Sequence, residues 1–203
     1  TKINVNLGTA TGKVNIEDEI RKARIAEEFG ADTISDLSMG GDINAIRHKI
    51  FSCTTLPITT VPVYQAVLEN GLKEITAEDM LSTLEMQAEQ GISSVVIHCT
   101  SRKMLATFKK EKRVLGMVSK GGSITSAFML VNDCENPFVE HFDRVLSACR
   151  EHDIVLSLGN TARSGCIHDV RDAFQRAEIR QNVTLAGRAL DAGVQVIIEG
   201  AGG

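Results

Sequence analysis

The sequence repeats one local pattern, in which an amphipathic helix ends at a glycine or polar residue and a short apolar strand follows. The pattern occurs in IRKARIAEEFG-ADTISDLS, MLSTLEMQAEQG-ISSVVIHC, DRVLSACREHD-IVLSLG and LAGRALDAG-VQVIIEG. Gly30, Gly91 and Gly193 stand where a helix ends in a left-handed conformation, which glycine adopts without steric cost. Strands that are apolar at nearly every position are typical of parallel strands buried on both faces. The pattern therefore predicts an α/β fold with a parallel sheet and right-handed crossovers.

Two architectures satisfy this alternation, an open doubly wound sheet and a (β/α)8 barrel. Polar, glycine-rich residues follow nearly every strand, which favours the barrel because a barrel draws its site from all of its βα loops. Strands are expected at 2–7, 33–37, 57–63, 94–99, 115–119, 154–158 and 194–199, and helices at about 16–29, 42–52, 77–90, 101–112, 137–151 and 169–192. We therefore expect an α/β fold of the (β/α)8 TIM-barrel type, with seven of the eight strands present, in one incomplete domain spanning 1–203.

The composition excludes several classes of protein. A net charge of −4 and a pI of about 5.8 provide no basic surface for nucleic acid or an anionic membrane, so we expect neither partner. No apolar run reaches the length of a membrane span and no signal peptide is recognisable, so we expect a cytoplasmic protein. Five widely spaced cysteines, with no CxxC pair, predict neither a disulfide framework nor a metal site within these residues.

Polar residues stand at or just beyond the carboxyl ends of the predicted strands. They are Asn6, Asp36, Tyr64, His98, Ser119, Asn160 and Glu199. Any one of them is also compatible with a loop-capping or turn residue. In a barrel, however, the carboxyl ends of all strands meet at one rim, so the set predicts a binding site there.

Two glycine-containing segments predict a phosphorylated ligand. In VSKGGS, 118–123, Ser119 and Lys120 precede two glycines that allow backbone amides to approach an anion closely. In GNTARSG, 159–165, Arg163 offers a fork of donors that matches phosphate or carboxylate. Either segment alone is also compatible with a tight turn exposing a basic side chain, but two of them at one rim favour phosphate.

Two strand-end residues have more than one interpretation, and a third is expected to be structural. His98 is either a buried core histidine or a ligand of the substrate. Glu199 is a structural carboxylate paired with a cation, a general base, or an acceptor for ribose hydroxyls. Asp36 is expected to hold the following SMGGD loop through hydrogen bonds to its amides.

Taken in order, the strand ends resemble the motifs of one enzyme family. NVNLG, DTISDLSMGGD, TVPVYQA, VVIHC, GMVSKGGS, ENPFVEHFD, LSLGNTARSGC and VQVIIEG are similar to motifs of the thiamin pyrimidine synthases, from end to end of the chain. Those radical S-adenosylmethionine (SAM) enzymes rearrange aminoimidazole ribotide into hydroxymethylpyrimidine phosphate. The resemblance implies a (β/α)8 barrel, in agreement with the pattern above, and a homodimer.

The resemblance also implies which residues bind the ribotide. They are Asn6, Tyr64, His98, Ser119, Gly121, Arg163 and Glu199. Lys120 joins this set at a position where the family typically has arginine, so the charge is kept and the fork of donors is lost. Asn160 joins it where the family has aspartate in LGDGLRPG.

The departures from the family motifs concern the reacting base more than the ribose phosphate. Besides Asn160, Ser35 replaces the methionine of DTVMDLS, and Gly203 stands at the metal-binding histidine of EGPGH. Changed contacts to the base favour the same substrate with another product. The first hypothesis is therefore the related 5-hydroxybenzimidazole synthase, which makes a cobamide lower-ligand base. The alternatives are the thiamin enzyme itself, a non-catalytic ribotide-binding homologue, and an aldolase- or isomerase-type barrel that uses Glu199 and His98 as acid and base.

The resemblance implies SAM, a [4Fe–4S] cluster and a divalent metal, zinc or iron, as cofactors. The family's CxxCxxxxC segment and its two metal-binding histidines are absent from these 203 residues. We therefore expect no metal ligand within the chain and an iron–sulfur domain outside it. The chain is expected to supply the ribotide-binding part of a longer enzyme.

Overall fold

The computed structural model describes residues 1–200, which contain a six-stranded, wholly parallel sheet. The strands are β1 (Asn4–Leu7), β2 (Thr33–Asp36), β3 (Ile58–Thr60), β4 (Ser94–Ile97), β5 (Val155–Leu158) and β6 (Val196–Ile198). Their spatial order, β1-β2-β3-β4-β5-β6, follows the chain. A doubly wound sheet reverses its order at a switch point, whereas a barrel does not. The sequential order therefore confirms the predicted barrel-type α/β fold, and closure of the sheet is not seen within the described residues.

Nine α-helices and a 3₁₀ turn connect these strands within the described residues. The helices are α1 (Ile16–Glu28), α2 (Ile43–Phe51), α3 (Pro62–Asn70), α4 (Ala77–Glu89), α5 (Arg102–Phe108), α6 (Lys120–Val131), α7 (Pro137–Glu140), α8 (Phe142–Glu151) and α9 (Ala173–Asp191), with the 3₁₀ turn at Ile167–Asp169. Two helix starts expected from the sequence are confirmed by their caps. The Asp42 side chain accepts the amide of Ala45, and Thr76 forms a reciprocal capping box with Asp79.

The two faces of the sheet differ in chemistry. Leu156, Leu158 and Ile97 lie in an apolar core beneath the helices. The opposite face carries hydrogen-bonded polar side chains. Asn4 Oδ1 accepts from Ser35 Oγ at 3.1 Å, and the Thr59 and Ser94 hydroxyls bond to each other. Barrel interiors are usually filled by branched apolar residues, so the interior-facing side of this sheet is unusually polar.

The prediction of a strand at 115–119 is wrong. Strand β4 pairs directly with β5, from Ser94 opposite Val155 to Ile97 opposite Leu158, which leaves no place for a strand between them. The amides of Val114 and Leu115 instead donate to the Asp169 carboxylate at 2.8 and 3.0 Å. The sheet therefore has six strands within the described residues where seven were expected.

Two helices were missed and three predicted helices had inaccurate bounds. Helices α3 and α6 follow strand-like apolar runs so closely that both segments were interpreted as strand ends or loops. The helix expected over 101–112 ends at Phe108, and the one expected over 169–192 begins at Ala173. The helix expected over 137–151 is broken at His141 into α7 and α8. Boundaries of this kind depend on tertiary contacts more than on local propensity.

Candidate ligand-binding site

The candidate site lies where the carboxyl ends of β4, β5 and β6 meet the amino ends of α3 and α6. The structure brings together eight of the nine ligand candidates predicted from the sequence. They are Tyr64, His98, Ser119, Lys120, Gly121, Asn160, Arg163 and Glu199. These residues come from five separate segments, so only the fold makes them neighbours.

His98 forms the buried floor of the site. The residue is 5% exposed and packs closely against two glycines, since a Cβ on Gly121 would be 2.3 Å from Cε1 and a Cβ on Gly159 would be 3.0 Å from Cδ2. Nε2 lies 3.1 Å from Ser119 Oγ, and Nδ1 has no hydrogen-bond partner among the described residues. Burial, assisted by the positive charge of Arg163, lowers the pKa of His98 to about 4. The ring is therefore neutral at physiological pH and offers a hydrogen bond to a ligand.

The SKGG segment is the first turn of α6 and not the loop expected from the sequence. Ser119 caps the helix, and its Oγ accepts the amide of Gly122 at 3.2 Å. Lys120 is exposed in this first turn. A helix amino end carries partial positive charge and free amides. The amino end of α6, together with Lys120, is therefore suited to an anion.

Tyr64 lies in α3 and not at the strand end where the sequence placed it. Its hydroxyl accepts the amide of Gly121, and the Lys120 ammonium lies 5.8 Å from the centre of its ring. Burial raises the pKa of Tyr64, while Arg163 lowers it and Glu199 raises it. The phenol is therefore protonated and lies close to both charged groups.

Arg163 and Asn160 face the site from the segment after β5. Arg163 Nη1 donates to Asn160 Oδ1 at 2.8 Å, and the Asn160 amide in turn donates to the carbonyl of Gly200. Glu199, after β6, accepts a hydrogen bond from Ser157 Oγ at 3.2 Å. The guanidinium is thus oriented by an uncharged amide, which leaves its positive charge available to an anionic ligand.

The other strand-end candidates are placed differently. Asn6 is exposed on β1, where its Oδ1 accepts from Asn4 at 3.0 Å, and no described contact joins it to the cluster. Asp36 Oδ1 accepts the amide of Ser38 at 3.1 Å, which confirms its expected role in holding the following loop. Its other oxygen lies 3.5 Å from the buried guanidinium of Arg47. Gly203, the position compared with a metal-binding histidine, lies outside the described residues.

Three supporting residues were not recognised in the sequence. Thr161 is fully buried behind α6, where a Cβ on Gly122 would be 2.4 Å from its methyl group. Arg113 belongs to the charged run KKEKR, which resembles a solvated surface, yet its side chain is only 2% exposed. Glu178 is buried on α9, and its spacing from Phe174 and Asn182 is the signal that places it on the inward face.

The resemblance implies an iron–sulfur cluster and a zinc or iron ion as cofactors. The free cysteines among the described residues are Cys53, Cys99, Cys134, Cys149 and Cys166. Within residues 1–200, no group of three His, Cys, Asp or Glu side chains is placed to hold a metal ion. This part of the chain therefore does not fit an iron–sulfur cluster or a zinc or iron ion. Over the same residues, no helix has both the length and the apolar character needed to cross a bilayer.

Comparison with known proteins identifies the family of the chain. The model of the radical SAM ThiC family matches residues 1–203, which is the whole chain. The chain belongs to the radical SAM ThiC family. This membership confirms the resemblance inferred from the strand-end motifs.

Curated members of the radical SAM ThiC family are similar over the whole chain. A phosphomethylpyrimidine synthase of Dehalococcoides mccartyi is 45% identical over 208 residues, covering 100% of this chain and 48% of the relative. The corresponding proteins of Pyrobaculum aerophilum and Moorella thermoacetica are 42% and 39% identical, each again covering 100% of this chain and 48% of the relative. The chain thus spans about half the length of the curated relatives it matches.

Proposed function

We propose that the protein containing this chain is a phosphomethylpyrimidine synthase, which rearranges aminoimidazole ribotide into hydroxymethylpyrimidine phosphate for thiamin. The names of the relatives support this product over hydroxybenzimidazole, the first hypothesis from the sequence. Family membership supports SAM and an iron–sulfur cluster as cofactors, which supply the radical chemistry. The described residues contribute substrate binding, and no chemical step is assigned to them.

The observation that carries the proposal is the convergence of Tyr64, Ser119 and Arg163 around the amino end of α6. Such a site provides the partial positive charge of a helix amino end, a hydroxyl and a guanidinium, which together match a phosphate monoester. The exposed Lys120 ammonium adds a second positive charge. We therefore assign the ribotide phosphate to this corner of the site.

The remaining candidates match the rest of the ribotide. Glu199 is a hydrogen-bond acceptor suited to ribose hydroxyls. Neutral His98 supplies a hydrogen bond from the floor, and its unpartnered Nδ1 is the kind of buried polar atom that a ligand satisfies. Asn160 is assigned to the imidazole end of the substrate through the family resemblance alone. Asn6 is retained as a ligand only through the family resemblance.

The 5-hydroxybenzimidazole product remains a second candidate because of two residues. Ser35 is buried and hydrogen-bonded to Asn4, where the compared motif has an apolar methionine. Asn160 binds Arg163 and Gly200 through its two different amide atoms. An aspartate there would pair with Arg163 but would lack the N–H that donates to Gly200. Both differences change the polarity at positions that the resemblance places near the reacting base.

Product analysis separates these proposals. The full-length protein is reconstituted anaerobically with iron, sulfide, SAM and dithionite, supplied with aminoimidazole ribotide, and its products are identified by mass spectrometry. Hydroxymethylpyrimidine phosphate is the expected product. Hydroxybenzimidazole would replace the thiamin assignment with the cobamide one, and ribotide binding without either product would indicate a non-catalytic homologue. Light scattering on the same preparation tests the proposed homodimer.

A further inference from the structure

The segment that carries Asn160 and Arg163 is held from behind by helix α9. Glu178 Oε2 accepts the amide of Ala162 at 2.8 Å, and Asn182 Nδ2 donates to the carbonyl of Gly159 at 3.3 Å. Glu178 and Asn182 are one turn apart and therefore lie on the same face of the helix. Both are 2% exposed, so these contacts are shielded from water.

Arg113 holds the same segment from the opposite side. Its Nη2 donates to the carbonyl of Ala162 at 2.7 Å, and its Nη1 donates to the carbonyl of Arg163 at 3.3 Å. The guanidinium is itself fixed by Asp172, whose two oxygens lie 2.5 and 3.0 Å from Nε and Nη2. The N–H of Ala162 therefore donates to a buried carboxyl group, and its carbonyl accepts from a buried guanidinium.

We propose that Glu178 and Arg113 are positioning residues for the ribotide site, and that ionisation of Glu178 strengthens ligand binding by fixing the segment that carries Arg163. The proposal rests on the proposed function for the identity of the ligand. The positioning itself concerns contacts within the protein. Neither residue is placed to touch the ligand, so each acts through the backbone between them.

The surroundings of Glu178 allow it to titrate near neutral pH. Burial raises its pKa to about 7, although the amides of Ala162 and Thr161 and the charge of Arg113 act in the opposite direction. The other titratable group facing it is the Cys99 thiol, which stays neutral because burial raises its pKa. An ionised carboxylate accepts a stronger hydrogen bond than a protonated one, so Ala162 is held more firmly above pH 7 than below it.

The contact between Glu178 and the amide of Ala162 is tested first without ligand. The full-length protein is labelled with 15N-alanine, the Ala162 amide resonance is identified by its loss in Ala162→Gly, and its chemical shift is followed from pH 5.5 to pH 8.5. We expect a titration with a midpoint of about pH 7 that disappears in Glu178→Gln and persists in Asp191→Asn, a control at the exposed end of the same helix. A flat wild-type titration, or one that persists in Glu178→Gln, would overturn the proposal. If Glu178→Gln does not fold, the wild-type titration decides alone.

Ligand affinity is measured next, by calorimetry with aminoimidazole ribotide at fixed pH. At pH 8, Glu178→Gln and Arg113→Lys should each bind about tenfold more weakly than wild type, as expected for the loss of one charged hydrogen bond. The ratio of affinities between wild type and Glu178→Gln should shrink towards pH 6, and Asp191→Asn should match wild type. Comparing variants at one pH cancels the titration of the phosphate itself. Equal affinities of wild type and these two variants at pH 8 would refute the positioning role. If wild type binds no ribotide while the Ala162 amide titrates, only the proposed function is refuted.

Discussion

At the scale of single residues, the site depends on close approaches that only glycine permits. The backbones of Gly121 and Gly159 both approach the His98 ring closely, since a Cβ would lie 2.3 Å from the ring at Gly121 and 3.0 Å from it at Gly159. This packing gives Gly121 and Gly159 a structural role in addition to the phosphate-binding role that the sequence suggests.

Replacing Gly121 by alanine is expected to destabilise the protein. The added Cβ would lie 2.3 Å from Cε1 and 2.7 Å from Nδ1 of His98, whose ring is buried. Overpacking of this kind costs about 1–3 kcal/mol of unfolding free energy, measurable by urea denaturation. Gly187→Ala in α9 is the matched control, since its Cβ meets no described atom within 4 Å and alanine favours a helix. Equal stabilities for the two variants would contradict the packing argument.

Arg163→Ala should weaken ribotide binding and leave the fold intact. The side chain is half-buried and donates to Asn160 and to the carbonyl of Val118, so its loss removes a cation from the site without opening the core. We expect a loss of about 1.5–3 kcal/mol in binding free energy by calorimetry, with an unchanged circular dichroism spectrum. Arg163→Lys, which keeps the charge and loses the fork, should be intermediate. Unchanged affinity in Arg163→Ala would remove Arg163 from the site.

At the scale of elements, a buried arginine joins one strand to three helices. Arg47 on α2 is 2% exposed and donates to Gln65 on α3 at 3.0 Å and to Gln90 at the end of α4 at 2.6 Å. Its Nε lies 3.5 Å from Asp36 at the end of β2. Gln65 is adjacent to Tyr64, so this network also fixes the helix that carries the site tyrosine.

Removing the cation alone should be costly, because it leaves a buried carboxylate unpaired. Arg47→Met is expected to lower the unfolding free energy by about 3–5 kcal/mol. The double variant Arg47→Met, Asp36→Asn should recover part of that loss, since asparagine carries no charge. Chemical denaturation of wild type, both single variants and the double variant forms the complete cycle. A double variant no more stable than Arg47→Met would show that the charge of Asp36 is not the cause.

At the scale of the whole molecule, two buried groups give opposite dependences of stability on pH. His98 has a pKa of about 4 in the folded protein, below its ordinary value of 6.5, so the unfolded chain binds the extra proton and stability is lost as pH falls from 6.5 to 4. Glu178 has a folded pKa of about 7, above its ordinary 4.5, so the folded chain holds the extra proton and stability is lost as pH rises from 4.5 to 7. Between pH 4.5 and 6.5 the two effects oppose each other.

Comparing wild type with a variant that lacks one of the two groups should therefore reveal how that group makes stability depend on pH. The stability of wild type minus that of Glu178→Gln should fall by about 3 kcal/mol as pH rises from 4.5 to 7, at about 1.4 kcal/mol per unit of pKa shift. The corresponding difference for His98→Gln should rise by a similar amount, about 3 kcal/mol, from pH 4 to 6.5. Urea denaturation at half-unit intervals of pH measures both. Differences of the same sign for the two variants would contradict these assignments.

The sequence predicted the repeating part of the fold well and its exceptions poorly. Helices α1, α2 and α4 lie within one or two residues of their expected bounds, because amphipathic spacing and caps are local signals. The segment 115–119 was misassigned because its apolar residues fit a strand, whereas hydrogen bonds to Asp169, 54 residues away in the chain, hold it elsewhere. Helix α6 was missed because its Gly-Gly start has weak helix propensity, and the Ser119 cap compensates only in context.

The sequence by itself determined the α/β alternation, the parallel sheet, the family and most of the polar residues at the rim, because these depend on local periodicity and on motifs in order along the chain. Only the tertiary structure decided that the SKGG segment begins a helix, that Tyr64 reaches it from α3, and that His98 packs closely against two glycines. It alone identified the burial of Arg113, which belongs to a charged run typical of a surface, and the bond between Glu178 and Ala162. The physical reason is that burial and pairing of charged groups depend on partners 16 to 59 residues apart, which no local pattern specifies.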